Sequence, residues 1–164
     1  MRQINHEYLR SVIFGVEDSL VSTTGLIAGL SVGVDDKKLV VIGGVVAIGV
    51  EALSMGAGEY LSDDAVQNLD KLRRHREKPS VSGLLMFFSY LFAGFIPLIP
   101  VLIFDFPGAV VVSVIFALAG LFMLGYIKGK LLNTSAFRGA VKIFVVGGLA
   151  TALGVAVGYI FKIT

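Results

Sequence analysis

Four carboxylates interrupt stretches that are otherwise apolar: Glu17 and Asp18 in GVEDSLVSTTGLIAGLSVG, and Glu51 and Glu59 in EALSMGAGEYLSDDA. A carboxylate in such surroundings must be paired, protonated or bound to a cation. No lysine or arginine lies at comparable depth in these stretches, so no basic partner is expected for any of the four. Glu51, Met55 and Glu59 recur at i, i+4 and i+8, which places them on one helical face with Ser54 beside them. Hard carboxylate oxygens alone suit Mg²⁺, Ca²⁺ or Mn²⁺, and an added thioether moves the preference toward Fe²⁺. Zinc and copper sites usually recruit His or Cys. Here cysteine is absent and the two histidines, His6 and His75, lie outside the apolar stretches. A divalent cation of the Fe²⁺/Mn²⁺ type is the best chemical match. A carboxylate that holds either a proton or a metal also supplies the minimal chemistry of proton-coupled exchange.

Each residue has a plainer reading. A methionine alone more often fills a core than binds a metal, and Glu59 reads equally well as an interfacial carboxylate in water. Glu17 is expected to point toward headgroups or a cytoplasmic partner, because neighbouring helical residues diverge by ~100°. Asp63 and Asp64 could gather cations at an entrance, although a solvated helix end is the simpler account. Asp18 and Glu51 are hardest to dismiss. The expected metal set is therefore Asp18, Glu51, Met55 and Glu59, with Glu17, Ser54, Asp63 and Asp64 as entrance or proton-path positions.

The elements that carry these residues follow from composition. The 164 residues are 55% hydrophobic and only 16% charged, and the mean hydropathy is +0.85. A soluble domain would carry roughly 25% charge. The net charge of +2 gives no reason to expect a nucleic-acid partner, and disorder and a disulfide scaffold are excluded by the apolar content and the lack of cysteine. Five windows are long and apolar enough to span a hydrocarbon core of ~30 Å: 12–33, 39–61, 82–104, 109–131 and 140–161. The expectation is an all-α integral membrane protein, one transmembrane domain over 1–164, with a loop at 62–81. The charge pattern of that loop predicts that the second helix continues into water until Pro79 stops it. Pro-Gly at 107–108 makes one turn, and Asn133 and Thr134 supply turn or capping residues in another. A secretory signal is not expected, because Glu17 and Asp18 break the first apolar stretch.

Sorting the basic residues by loop gives orientation. Arg2, Arg10, Lys71, Arg73, Arg74, Arg76, Lys78, Lys128, Lys130, Arg138 and Lys142 fall on one side, and Lys37, Lys38 and Lys162 on the other. This alternation agrees with five spans rather than four or six, with the N-terminus cytoplasmic and the C-terminus outside. The first helix then brings Asp18 about 9 Å into the membrane, while Glu51 lies near mid-membrane and Glu59 near the cytoplasmic surface. Gly25, Gly29 and Gly33 form two GxxxG steps, as do Ala150, Gly154 and Gly158. The first set is expected at a dimer or helix contact, the second within the bundle. Pro97 and Pro100 lie deep in the third span and should hinge it. Tyr8, Tyr60, Tyr90, Tyr126 and Tyr159 are read as an interfacial belt. No P-loop, GxGxxG turn or HExxH motif is present.

At these residues the chain resembles the vacuolar iron transporter family, which includes the nodulin-21-like proteins. The resemblance rests on 15–33 and 51–65, quoted above, with FAGFIPLIP (92–100) and LGYIKGK (124–130) similar to the family's third and fourth helices. It implies a five-helix subunit working as a homodimer, with the metal path between subunits. Family members move Fe²⁺, in some cases Mn²⁺, out of the cytoplasm in exchange for protons. The family's helix 1 aspartate maps onto Asp18 and its helix 2 methionine onto Met55. In plant-type members a glutamate lies eight residues before that methionine; here the position is Ala47, and Glu51 stands one turn closer on the same face. Those members also carry a glutamate-rich cytoplasmic metal-binding insert. This chain has only 62–81, with Glu77 as its sole glutamate, and so resembles a short, insert-free branch.

The sequence therefore predicts a dimeric, proton-coupled exporter of Fe²⁺ or Mn²⁺, not an enzyme and without a resident cofactor, partnered by the lipid bilayer. The short chain is expected in a prokaryotic plasma membrane, or in a vacuolar or other organelle membrane if the source is eukaryotic. Its rivals are a passive divalent-cation channel gated at Pro97/Pro100, and a non-transporting scaffold that docks partners through 63–78.

Overall fold

The computed structural model describes residues 6–69, 78–106 and 108–162. Among them are five helices and no strand: α1 (His6–Gly33), α2 (Lys37–Leu69), α3 (Pro79–Ile103), α4 (Gly108–Leu131) and α5 (Ala136–Ile160). All five are long and apolar enough to cross a membrane, and the chain is an integral membrane protein. The 33 residues of α2 run about 50 Å, so its last turns extend beyond a ~30 Å core, as the charge pattern predicts. Arg2 and the basic residues of 70–77, which make up much of the docking segment 63–78, lie outside the described residues. The expected stop of α2 before Pro79 falls on 70–77 and lies outside the described residues. Pro79 itself opens α3 at its first turn, with Lys78 extended before it (φ −91°, ψ 121°), the conformation favoured for a residue preceding proline.

α1 packs against all four other helices. One core cluster, Ile27, Val40, Ile48, Leu98 and Val101, joins α1, α2 and α3, and another, Leu20, Ala93, Leu121 and Ile143, joins α1, α3, α4 and α5. The outer faces of α2, α4 and α5 expose Val50, Leu53, Ile115, Phe116, Leu149 and Leu153. Such apolar exteriors are what helices facing hydrocarbon require.

The glycine steps mesh with each other. A Cβ at Gly29 would lie 2.6 Å from the Gly154 carbonyl oxygen, and one at Gly154 only 2.0 Å from that of Gly25. Of the two contacts expected for the Gly25/Gly29/Gly33 face, a dimer or a neighbouring helix, α5 of the same chain supplies the close one. Backbones this close gain dispersion contacts that larger residues would forbid.

The connections carry their own chemistry. Asp36 caps α2, accepting from the Lys38 amide at 2.7 Å. Lys37 Nζ donates to the Leu102 and Phe104 carbonyls at 3.2 and 2.9 Å, satisfying acceptors that the end of α3 leaves free. Asn133 takes a left-handed φ of 52°, and the Asn133 and Thr134 amides turn back to the Lys130 and Gly129 carbonyls at 3.3 and 2.9 Å. This is a Schellman ending, with asparagine in the place glycine usually takes.

Candidate metal site and its flanking ion pairs

α2 is sorted into stripes. Val40, Gly44, Ile48, Ala52 and Gly56 are buried against α1 and α3, and the adjacent stripe of Ala47, Glu51, Met55 and Glu59 is half-buried. Ser54, beside that stripe, is exposed.

Glu51 is met by hydroxyls from two helices. Ser22 on α1 donates to its Oε2 at 3.1 Å, and the Tyr90 phenol on α3 donates to the same oxygen. The Ser22 and Tyr90 hydroxyl oxygens are 2.5 Å apart. Ser19, one turn earlier on α1, donates to the Tyr90 backbone carbonyl at 2.7 Å. Tyr90 is fully buried, which corrects its assignment to an interfacial belt. Its signal was legible, because a phenol in mid-span needs a polar partner. Glu51 and Ser22 line a groove of about 550 Å³ that continues along Gly25, Gly29 and Gly154. Asp18 is half-buried, lies within electrostatic reach of Glu51 and Glu17, and has no hydrogen-bond or ion-pair partner among the described residues.

The other two carboxylates are paired, against expectation. Arg10 lies 3.1 Å from Glu59 and 3.9 Å from Asp63, and the buried Ser11 donates to Glu59 at 2.6 Å. Lys128, near the end of α4, lies 3.4 Å from Glu17. Both bases come from helix ends and extend along the bundle, as long cationic side chains do. Asp64 accepts from Asn68 at 3.1 Å on the exposed end of α2. No group of three or more His, Asp or Glu side chains converges among the described residues. Helix geometry explains this. Glu17 and Asp18 diverge by ~100°, and eight residues of α2 separate Glu51 from Glu59 by about 12 Å. Of the four expected metal-site residues, Glu59 is paired with Arg10, Asp18 and Glu51 have no cationic partner among the described residues, and Met55 is half-buried on α2 one turn from each of the two glutamates.

Two observations compare this arrangement with known proteins. The model of the VIT family matches residues 9–79 and 64–159, which together span most of the chain. The chain belongs to the VIT family. This VIT-family chain is 27% identical to vacuolar iron transporter 1 of Oryza sativa subsp. japonica, over 89% of its length and 82% of the relative's. It is 25% identical to vacuolar iron transporter 1 of Arabidopsis thaliana, over 89% and 83%. Vacuolar iron transporter homolog 1 of Arabidopsis thaliana is 25% identical over 90% and 80%. The alignment to the first two runs over 207 positions, more than the chain's 164 residues, whereas that to the homolog runs over 162. The first two therefore carry sequence that this chain lacks. The expected prokaryotic plasma membrane is not borne out, since these relatives are plant proteins named for the vacuole.

Proposed function

We propose that the chain exports Fe²⁺, or Mn²⁺, from the cytoplasm in exchange for protons, as a homodimer. The observation that carries this reading is the contrast among the carboxylates. Among the described residues Glu17 and Glu59 have cationic partners, whereas Asp18 and Glu51 have none. Glu51 has one oxygen engaged by the Ser22 and Tyr90 hydroxyls, which leaves Oε1 for a metal or a proton. Asp18 supplies a second oxygen and Met55 a thioether, a set that suits Fe²⁺ or Mn²⁺. One chain offers too few ligands for a divalent ion, and a second copy across the groove would double them. The names of the relatives support iron as substrate. The basic end, carrying Arg10, Lys128, Lys130 and Arg138, is taken as cytoplasmic. Metal arriving there displaces protons from Asp18 and Glu51 and leaves on the far side as they are reprotonated. Pro97 and Pro100 remove two backbone donors from α3, making it the helix best able to bend as access alternates.

The test is uptake of Fe²⁺ or Mn²⁺ into proteoliposomes with an imposed proton gradient. Uptake is expected to follow the gradient and to fall at least tenfold in Asp18→Ala and Glu51→Ala. Parent-like flux in both variants overturns the site, and flux indifferent to the gradient replaces the exchanger with a channel.

A further inference from the structure

Between α1, α2 and α4, at the basic end, lies a cavity of about 650 Å³ whose lining includes His6, Arg10, Glu17, Glu59, Ser62 and Lys128. Its two acids are both neutralised, Glu59 by Arg10 at 3.1 Å and Glu17 by Lys128 at 3.4 Å. The pairs are asymmetric. The Arg10 and Lys128 side chains are 65% and 38% exposed, against 13% and 25% for Glu59 and Glu17. Glu59 is further fixed by the fully buried Ser11. Glu59 is therefore fixed in the wall and Glu17 is largely covered there, while the bases reach them from water on long flexible stems and can return to water.

We propose that Arg10 and Lys128 are tethered counter-cations that an incoming divalent metal displaces from Glu59 and Glu17, making this cavity a filter that admits divalent cations and rejects potassium and sodium. The proposal rests on the export reading for the direction of travel. Its chemistry is a competition for the same oxygens. Exposed ion pairs of this kind contribute little net stability, so each base is a weak lid. An alkali ion has the same charge as the base it would replace and cannot donate the hydrogen bonds the base gives up. A divalent ion doubles the Coulomb attraction at the same distance and can ligate carboxylate oxygens directly. Once the metal moves inward toward Asp18, the base returns and restores a neutral wall.

The experiment measures Mn²⁺ uptake by the full chain in proteoliposomes, together with equilibrium Mn²⁺ binding to the purified protein, in the parent, Arg10→Gln, Lys128→Gln and the double variant. Removing a tethered competitor is expected to lower the apparent KM about two- to fivefold in each single variant. In the double variant, about 0.1 M K⁺ should compete with Mn²⁺, while the parent stays indifferent to it. Lys128→Arg keeps the charge and should keep the parent's KM. A damaged fold would raise KM or abolish uptake, so a gain in affinity separates the proposal from a merely structural role. Unchanged or raised KM in both Gln variants, or a Lys128→Arg protein that behaves like Lys128→Gln, overturns it. If Lys128→Gln does not fold, Lys128→Met removes the same charge while keeping the apolar stem. Binding also separates the two readings: tighter Mn²⁺ binding in the Gln variants without transport by the parent sinks export alone, whereas gradient-driven transport without tighter binding sinks the filter alone.

Discussion

The phenol of Tyr90 on α3 donates to Glu51 on α2, and that same phenol lies 2.5 Å from Ser22 on α1. Tyr90 is fully buried, so the three helices that surround the unpaired carboxylates are registered through one side chain. In an apolar interior its loss leaves Glu51 with Ser22 as its remaining hydrogen-bond donor.

Tyr90→Phe is therefore expected to destabilise the protein by about 1–2 kcal/mol. The cost should shrink when Glu51 is already Ala, because the phenol then has no carboxylate to serve. A double-mutant cycle read by thermal unfolding in detergent checks this, with a coupling of about 0.5–2 kcal/mol expected. Strict additivity of the two substitutions would mean that the contact contributes nothing.

The α1–α5 contact predicts opposite outcomes for similar changes. Gly154→Ala places a Cβ 2.0 Å from the Gly25 carbonyl and Gly29→Ala one 2.6 Å from that of Gly154, with only backbone to give way. Each should cost more than about 2 kcal/mol or separate the helices. Gly49→Ala and Gly148→Ala meet nothing within 4 Å and should be neutral or stabilising by up to about 1 kcal/mol. Melting temperatures of the four variants decide it.

Asn133 predicts a ranking. Its φ of 52° suits glycine and penalises a β-branched residue. Asn133→Gly should leave stability within about 0.5 kcal/mol of the parent, and Asn133→Val should cost about 1–2 kcal/mol. Equal melting temperatures for the two would show that the turn between α4 and α5 relaxes out of the left-handed region.

Metal removal gives a further check. A cation bound only by the folded state stabilises it by about 2.7 kcal/mol at one hundred times its Kd. Mn²⁺ should raise the unfolding temperature of the parent, EDTA should reverse the rise, and Glu51→Ala should diminish it. Mg²⁺, which holds its water more tightly and demands strict octahedral geometry, should protect less. Protection undiminished in Glu51→Ala would place the metal elsewhere.

Local sequence was enough for everything that depends on a single helix. Twenty-residue apolar runs must span, because hydrocarbon leaves no other way to satisfy the backbone, and five such helices stand where the windows predict them. The common face of Glu51, Met55 and Glu59 follows from the 3.6-residue period, and the half-buried stripe keeps that order. The turn at Asn133 and Thr134 was equally legible. Partners on other helices were not. Arg10 lies 49 residues before Glu59, and Lys128 lies 111 after Glu17, so depth in sequence could not show that the bases reach those acids. The Gly25/Gly29/Gly33 face announces a close approach but not whose backbone makes it. Period and apolarity are properties of one chain segment; which carboxylates stay unpaired depends on how five helices share a bundle, and tertiary packing alone decided that Glu17 and Glu59 are neutralised while Asp18 and Glu51 have no cationic partner among the described residues.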